Sequence, residues 1–197
     1  MARFNRQQTP PIYSDPKRYL PFLRQDFQRQ CAYCERTESF LGGEDHFEVD
    51  HFRPEQKFKS LRATYENLYY SCRKCNSHKS ATWPTAYQIS RGLVFSDPCV
   101  EDPYELHLRE KSDGGLDELT PCGAYTNGHI RLDRPMLRDW RLQRHQAKID
   151  LQVFGNAEDV LLRALDFAGH GSRDEIDAVL EAIRRNIERL QTEFLIS

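Results

Sequence analysis

The sequence predicts an α+β fold, and three observations carry that expectation. Two CxxC pairs, Cys31 with Cys34 and Cys72 with Cys75, stand about forty residues apart. They can give four thiolates to one tetrahedral zinc, because two intervening residues let both sulfurs of a pair face the same ion. Between the pairs runs a short alternating stretch, His46 to His51, that reads as a strand. Beyond residue 130 the apolar residues recur at helical spacing.

Length and composition bound the rest. A chain of 197 residues can bury one good core, or one core and a small appended unit. No window approaches the ~18 consecutive apolar residues of a membrane span, so no membrane partner is expected. The start, M-A-R-F-N-R-Q-Q, has no apolar signal region, which points to the cytoplasm. Thiols stay reduced there, so the six cysteines favour metal over disulfides. Cys99 and Cys122 have no pair spacing and read as buried thiols rather than a second site. Charge is uneven, with 15 basic against 11 acidic residues in 1–98 and 13 against 19 in 99–197. The basic half suits a phosphate-bearing partner, although an excess this small would not suggest nucleic acid by itself.

In chain order, 1–14 is polar, carries Thr9-Pro10-Pro11 and reads as a flexible or loosely docked arm. Asp15-Pro16 opens a helix whose apolar face is Tyr19, Leu20, Phe22, Leu23 and Phe27, with Pro21 as an early kink. After the first cysteine pair and the Gly42-Gly43 loop, Phe47 and Val49 point one way along the strand and Asp50 the other. A twist or bulge would then be needed to bring Asp50 and His51 to one site. Pro54 ends the strand, and 56–62 is a basic loop with Lys57, Lys59 and Arg62. Leu68-Tyr69-Tyr70 forms an apolar return into the second pair, and a helix is expected from Asn76 to about Gln88, weakened by Pro84.

The ordered residues Asp50-His51, Asn67, Asn76 and Lys79, bracketed by the two CxxC pairs, resemble the HNH nuclease family. The resemblance covers about 30–81 well and reaches loosely to about 144. It implies a ββα-metal core spanning 15–92 and metal-dependent endonuclease activity on DNA. It makes His51 the general base, Asn67 the brace that orients it, and Asp50 and Asn76 the metal ligands, with His78 the alternative ligand if the helix starts later. Oxygen ligation favours Mg²⁺ or Mn²⁺ there over Ni²⁺ or Zn²⁺. Cys31, Cys34, Cys72 and Cys75 hold a structural zinc, which contributes an apparent ~10 to 16 kcal/mol in small metallo-domains. Arg73, Lys74 and Lys79 join Lys57, Lys59 and Arg62 as candidate phosphate contacts.

The remaining chain divides into a short-strand extension, 93–130, and a helical region, 131–197. The runs D-P-C-x-E-D-P from Asp97 and G-x-I-R-L-D-R-P-x-L from Gly128 are similar to the tails of small HNH proteins of bacterial anti-phage systems, such as Septu and retron-associated nucleases. One helix is expected from Asp133 to Gly155, with Arg134, Arg138, Arg141, Arg144 and Lys148 as a basic stripe. Another starts at Asn156 and ends at Gly169. Ser172 and Glu175 then form a capping box for the last helix, where Ile176, Leu180, Ile183, Ile187, Leu190 and Phe194 make a seam of period 3.5. That seam packs on the preceding helices or serves a homodimer or partner contact. Two other functions compete with a free-standing nuclease: a catalytically silent zinc-knuckle binding module, and a nuclease subunit active only with a regulatory ATPase partner.

Overall fold

The computed structural model describes residues 1–6, 8–165 and 170–194. Its ordered elements are α1 (Leu20–Asp26), α2 (Glu38–Leu41), β1 (Phe47–His51), β2 (Leu68–Cys72), α3 (Arg73–Lys79), α4 (Ala86–Ser90), α5 (Pro103–Leu106), β3 (Leu108–Glu110), β4 (Leu116–Glu118), α6 (Pro121–Ile130), α7 (Pro135–Leu165) and α8 (His170–Phe194). Strands β1 and β2 pair antiparallel, as do β3 and β4. The chain divides into two compact units, Met1–Trp140 and Arg141–Ser197. Among the described residues no helix is long and apolar enough to cross a membrane.

The first unit is built from short pieces whose ends are fixed by side chains. Asp15 caps a 3-10 turn, Pro16–Tyr19, by accepting from the Lys17 N–H at 3.0 Å, and α1 follows directly. Tyr19, Leu23 and Phe27 are buried from this segment. They meet β2, whose five residues are all buried. Within 1–14, expected as a flexible or loosely docked arm, Phe4 docks into this core. Phe4 is 1% exposed and lies 5.0 Å from the Phe27 ring. The Arg6 guanidinium sits 5.0–5.1 Å from the Phe27, Tyr65 and Tyr69 rings and donates to the Leu68 carbonyl at 2.7 Å. A guanidinium stacks on aromatic faces and keeps its planar donors for a carbonyl, which suits this crowded aromatic core.

Several expected elements change their bounds. Helix α3 starts at Arg73 and stops at Lys79, because Ser80 adopts a positive φ of 50°. Pro84 lacks an N–H, so the next helix needs its own start, and Thr85 with Gln88 supplies a capping box for α4. The segment 121–130, expected as part of a short-strand extension, is helical. Thr120 caps it by accepting from the Gly123 N–H at 3.1 Å, with Pro121 in the first turn.

In place of two helices meeting at Gly155 and Asn156, α7 is one helix of 31 residues. One glycine costs a helix only about 1 kcal/mol, which the rest of a long amphipathic helix offsets. The end expected at Gly169 lies outside the described residues, as does the Ser172 side chain; α8 begins ahead of Ser172, at His170. On α8, Leu180, Leu190 and Phe194 are buried and Ile176, Ile183 and Ile187 half-buried, so the apolar seam is covered. An ion pair of 2.7 Å from Arg184 to Glu158 joins α8 to α7 in the second unit.

Candidate active site and zinc centre

The four paired cysteines converge. Their sulfurs all lie within 4.8 Å of one another, and Cys34 Sγ stands 3.9 Å from Cys72 Sγ. Four sulfurs at ~2.3 Å from a tetrahedral zinc would stand roughly 3.8 Å apart, so the donor set fits that ion. Local structure makes the convergence. Cys72 is the residue before α3 and Cys75 lies in its first turn, while Cys31 opens a turn closed by the Glu35 N–H to its carbonyl at 3.0 Å. Burial pushes the Cys31 and Cys75 thiols up. Burial acts the same way on Cys34, but hydrogen bonds from the other three and the charge of Arg36 outweigh it and hold it low. Cys72 is lowered chiefly by its bond with Cys31.

Two arginines accompany the sulfurs. Arg134 donates to Cys75 Sγ at 3.2 Å, and Arg36 is 3% exposed beside Cys34 and Cys72. A zinc held by four thiolates would carry a formal charge of about −2, which the buried Arg36 and half-buried Arg134 guanidiniums would balance. Arg134 was expected on a basic stripe for phosphate, and it is instead engaged with sulfur. Arg36 follows the first cysteine pair by two residues, whereas the placement of Arg134 left no spacing signal in the sequence.

The strand and helix next to this centre form a ββα unit. Register between β1 and β2 is continuous, Phe47 opposite Cys72 through His51 opposite Leu68, with no bulge. Glu48 and Asp50 therefore share one face of β1, and α3 packs along it. Asn76 donates Nδ2 to Glu48 Oε1 at 2.8 Å, and Lys79 Nζ stands 3.1 and 3.0 Å from the two Asp50 oxygens. Residues three apart on a helix lie on one side, which is why Asn76 and Lys79 meet alternate strand residues. Tyr33 also donates its hydroxyl to Asp50. Burial, then Asp50, pushes the Tyr33 phenol well up, so it stays a donor.

His51 lies on the other face of the strand. Its Nε2 is 2.8 Å from the carbonyl oxygen of Arg62, and Glu55 Oε2 is 3.9 Å away. A carbonyl only accepts, so Nε2 carries a proton in this contact, and a neutral ring making it would keep its lone pair at Nδ1. The loop that offers this carbonyl is tied down by Asn67. Its Oδ1 accepts from the Arg53 N–H at 2.9 Å, and its Nδ2 donates to the carbonyls of Arg53 at 3.0 Å and Leu61 at 3.3 Å.

Asp50, His51 and Asn76 nonetheless border one cleft of about 220 Å³ at the end of β1, with Val49, Pro54 and Ser80 among its other walls. The strand carries no bulge, and the cleft lies where it ends. His78 is placed elsewhere: burial, Arg134, Lys74 and Arg131 lower its imidazole. Two residues along a helix is a turn of about 200°, which separates His78 from Asn76.

Among the candidate phosphate contacts, Lys57, Lys59, Arg62, Arg73 and Lys74 are exposed. Arg62 is tied to Glu55 at 2.8 Å and to the Ser14 carbonyl at 3.0 Å. Lys79 is fully buried in its pair with Asp50 and donates to the His51 carbonyl at 2.6 Å, so it does not present a surface charge. Arg138 is paired with Asp133 while its side chain stays 41% exposed, and Arg141 is 3% exposed, which removes Arg141 from a solvent-facing stripe. Arg144 is half-buried.

An antiparallel hairpin crossed by a short helix, beside four converging cysteines that suit a zinc, defines a ββα unit. Residues 31–82 match the HNH endonuclease family model, and every element just described falls within or beside them. No curated protein and no solved structure matches the chain.

Proposed function

We propose that this protein hydrolyses DNA phosphodiester bonds with His51 as general base and one divalent cation held by Asp50 and Asn76. The observation that carries the reading is the 2.8 Å contact between His51 Nε2 and the Arg62 carbonyl oxygen. With Nε2–H committed to the Arg62 carbonyl, the ring can take a proton from water at Nδ1. Imidazole suits that task because its ordinary pKa of about 6.5 leaves much of it neutral at cellular pH. Asn67 acts as a positioning residue: by joining Arg53 to Leu61 it fixes the loop whose next carbonyl holds the histidine.

The donors suit a hard cation. Asn76 gives Nδ2 to Glu48 and keeps Oδ1, and an ionised carboxylate has about four acceptor sites, so Asp50 retains capacity beyond Lys79 and Tyr33. Mg²⁺ or Mn²⁺ bound there would stabilise charge at the scissile phosphate and on the departing oxygen. The exposed Lys57, Lys59, Arg73 and Lys74 would meet the DNA backbone. The role of an anti-phage effector rests on the resemblance of the 97–103 and 128–137 runs to nucleases of such systems.

Supercoiled plasmid incubated with the zinc-loaded protein and Mg²⁺ or Mn²⁺ tests this reading. Nicked or linear product is expected, and Asn67→Ala should lower turnover while leaving DNA affinity near wild type. Supercoiled DNA left intact by folded, zinc-loaded protein would favour a silent binding module or a subunit that needs its partner.

A further inference from the structure

A second set of ligand atoms converges outside the cleft and the four-cysteine centre. Glu101 lies in the turn 97–102, His107 follows α5, and Cys122 is in the first turn of α6. Their ligand atoms all lie within 4.8 Å of one another. Among the described residues, this set and the four cysteines are the groups of three or more His, Cys, Asp or Glu that converge so closely.

The site is built rather than incidental. His107 Nδ1 stands 2.8 Å from Thr120 Oγ1, the same hydroxyl that caps α6. The start of α6 presses so near that a Cβ on Gly123 would fall 2.1 Å from the His107 carbonyl oxygen, so only glycine fits there. Held by Nδ1, the ring turns Nε2 toward Glu101 Oε1 at 3.0 Å. That nitrogen is buried and the approach lacks hydrogen-bond geometry, while Glu101 Oε1 already accepts from the Ser96 hydroxyl at 2.7 Å. If Thr120 accepts the Nδ1 proton, Nε2 offers a lone pair against a carboxylate. Such an arrangement calls for a cation between them.

We propose that Glu101, His107 and Cys122 form a second transition-metal site, taking Zn²⁺ as its ion. Thiolate, imidazole and carboxylate together match a borderline-soft ion and disfavour Mg²⁺ or Ca²⁺. Two ligands at ~2.1 Å from a tetrahedral zinc stand roughly 3.4 Å apart, close to the 3.0 Å between Nε2 and Oε1. The contact of Nδ1 with Thr120 is the outer partner that metal-bound histidines regularly have. The Cys122 proton leaves to solvent as the zinc–sulfur bond forms, and a fourth position stays open to water or a small ligand.

The ion would clamp the turn 97–102 to the start of α6. That turn also holds the N-terminal segment, through Arg3 N–H to the Glu101 carbonyl at 3.1 Å and Phe4 N–H to the Pro98 carbonyl at 2.8 Å. It reaches β2 through the Tyr69 hydroxyl, which donates to Asp97.

Zinc content of the full chain, loaded with Zn²⁺ and desalted, decides the matter by elemental mass spectrometry. Two zinc per chain are expected in the wild type and one in Cys122→Ser and His107→Gln. One zinc in the wild type, or two in Cys122→Ser, would overturn the assignment. Should the variants not fold, Co²⁺ titration of the wild type serves instead: two spectroscopically distinct equivalents are expected, and saturation at one rejects the site.

Discussion

The two units of this chain hold together by different means. In Met1–Trp140 the strands are at most five residues long and the longest helix lying wholly inside has ten, too little regular structure for local hydrogen bonding to carry. Order there comes from converging cysteines, an aromatic core threaded by Arg6, and buried charges such as Glu38, Asp50 and Lys79. In Arg141–Ser197 two long helices suffice, and an apolar seam on α8 provides the burial. The lesson is that the part with chemistry is held by chemistry, whereas the other part is held by periodicity.

Removing the metal should separate the two most sharply. Chelation or Cys72→Ser should abolish the order of 1–140, since a structural zinc contributes an apparent ~10 to 16 kcal/mol in small metallo-domains. Hydrogen exchange read by mass spectrometry should lose protection there and keep it in α8; a zinc-free protein still protected in β1 and β2 would break the comparison. Next in size is Lys79→Ala, which strands the Asp50 carboxylate at 3% exposure and should cost about 3–5 kcal/mol in urea unfolding. A loss under ~1 kcal/mol would mean that Asp50 does not depend on that partner.

Leu180→Ala probes the other unit. It should cost about 2–5 kcal/mol there and leave the zinc count unchanged, because the side chain is 2% exposed within a helical seam. The smallest effect belongs to Arg184→Ala. Its pair with Glu158 has the arginine 56% exposed, so a change of ~0 to 1 kcal/mol is expected in thermal unfolding.

What could be read from the sequence follows the same division. The cysteine spacing, the strand at 47–51 and the seam on α8 each obey a short-range rule and were legible. Lys79 shows the limit. Its spacing from Asn76 places both on one side of a helix, but which strand residue each meets depends on register, and so Lys79 read as a surface cation when it is buried against Asp50. Arg36 stands two residues past Cys34, but Arg134 reaches Cys75 from 59 positions along the chain, which no local pattern connects. The docking of Phe4 and the hydrogen bond of His51 likewise depend on distant backbone groups, the carbonyls of Pro98 and Arg62. The sequence splits α7 at Gly155-Asn156, a local stop signal that the length of the surrounding helix overrides.

The most direct measurement compares plasmid cleavage by wild-type protein and His51→Ala at matched zinc content. The account predicts that His51→Ala keeps its zinc and its fold and loses about 10²- to 10⁴-fold in rate, the usual contribution of a general base. Equal cleavage by the two proteins would contradict it.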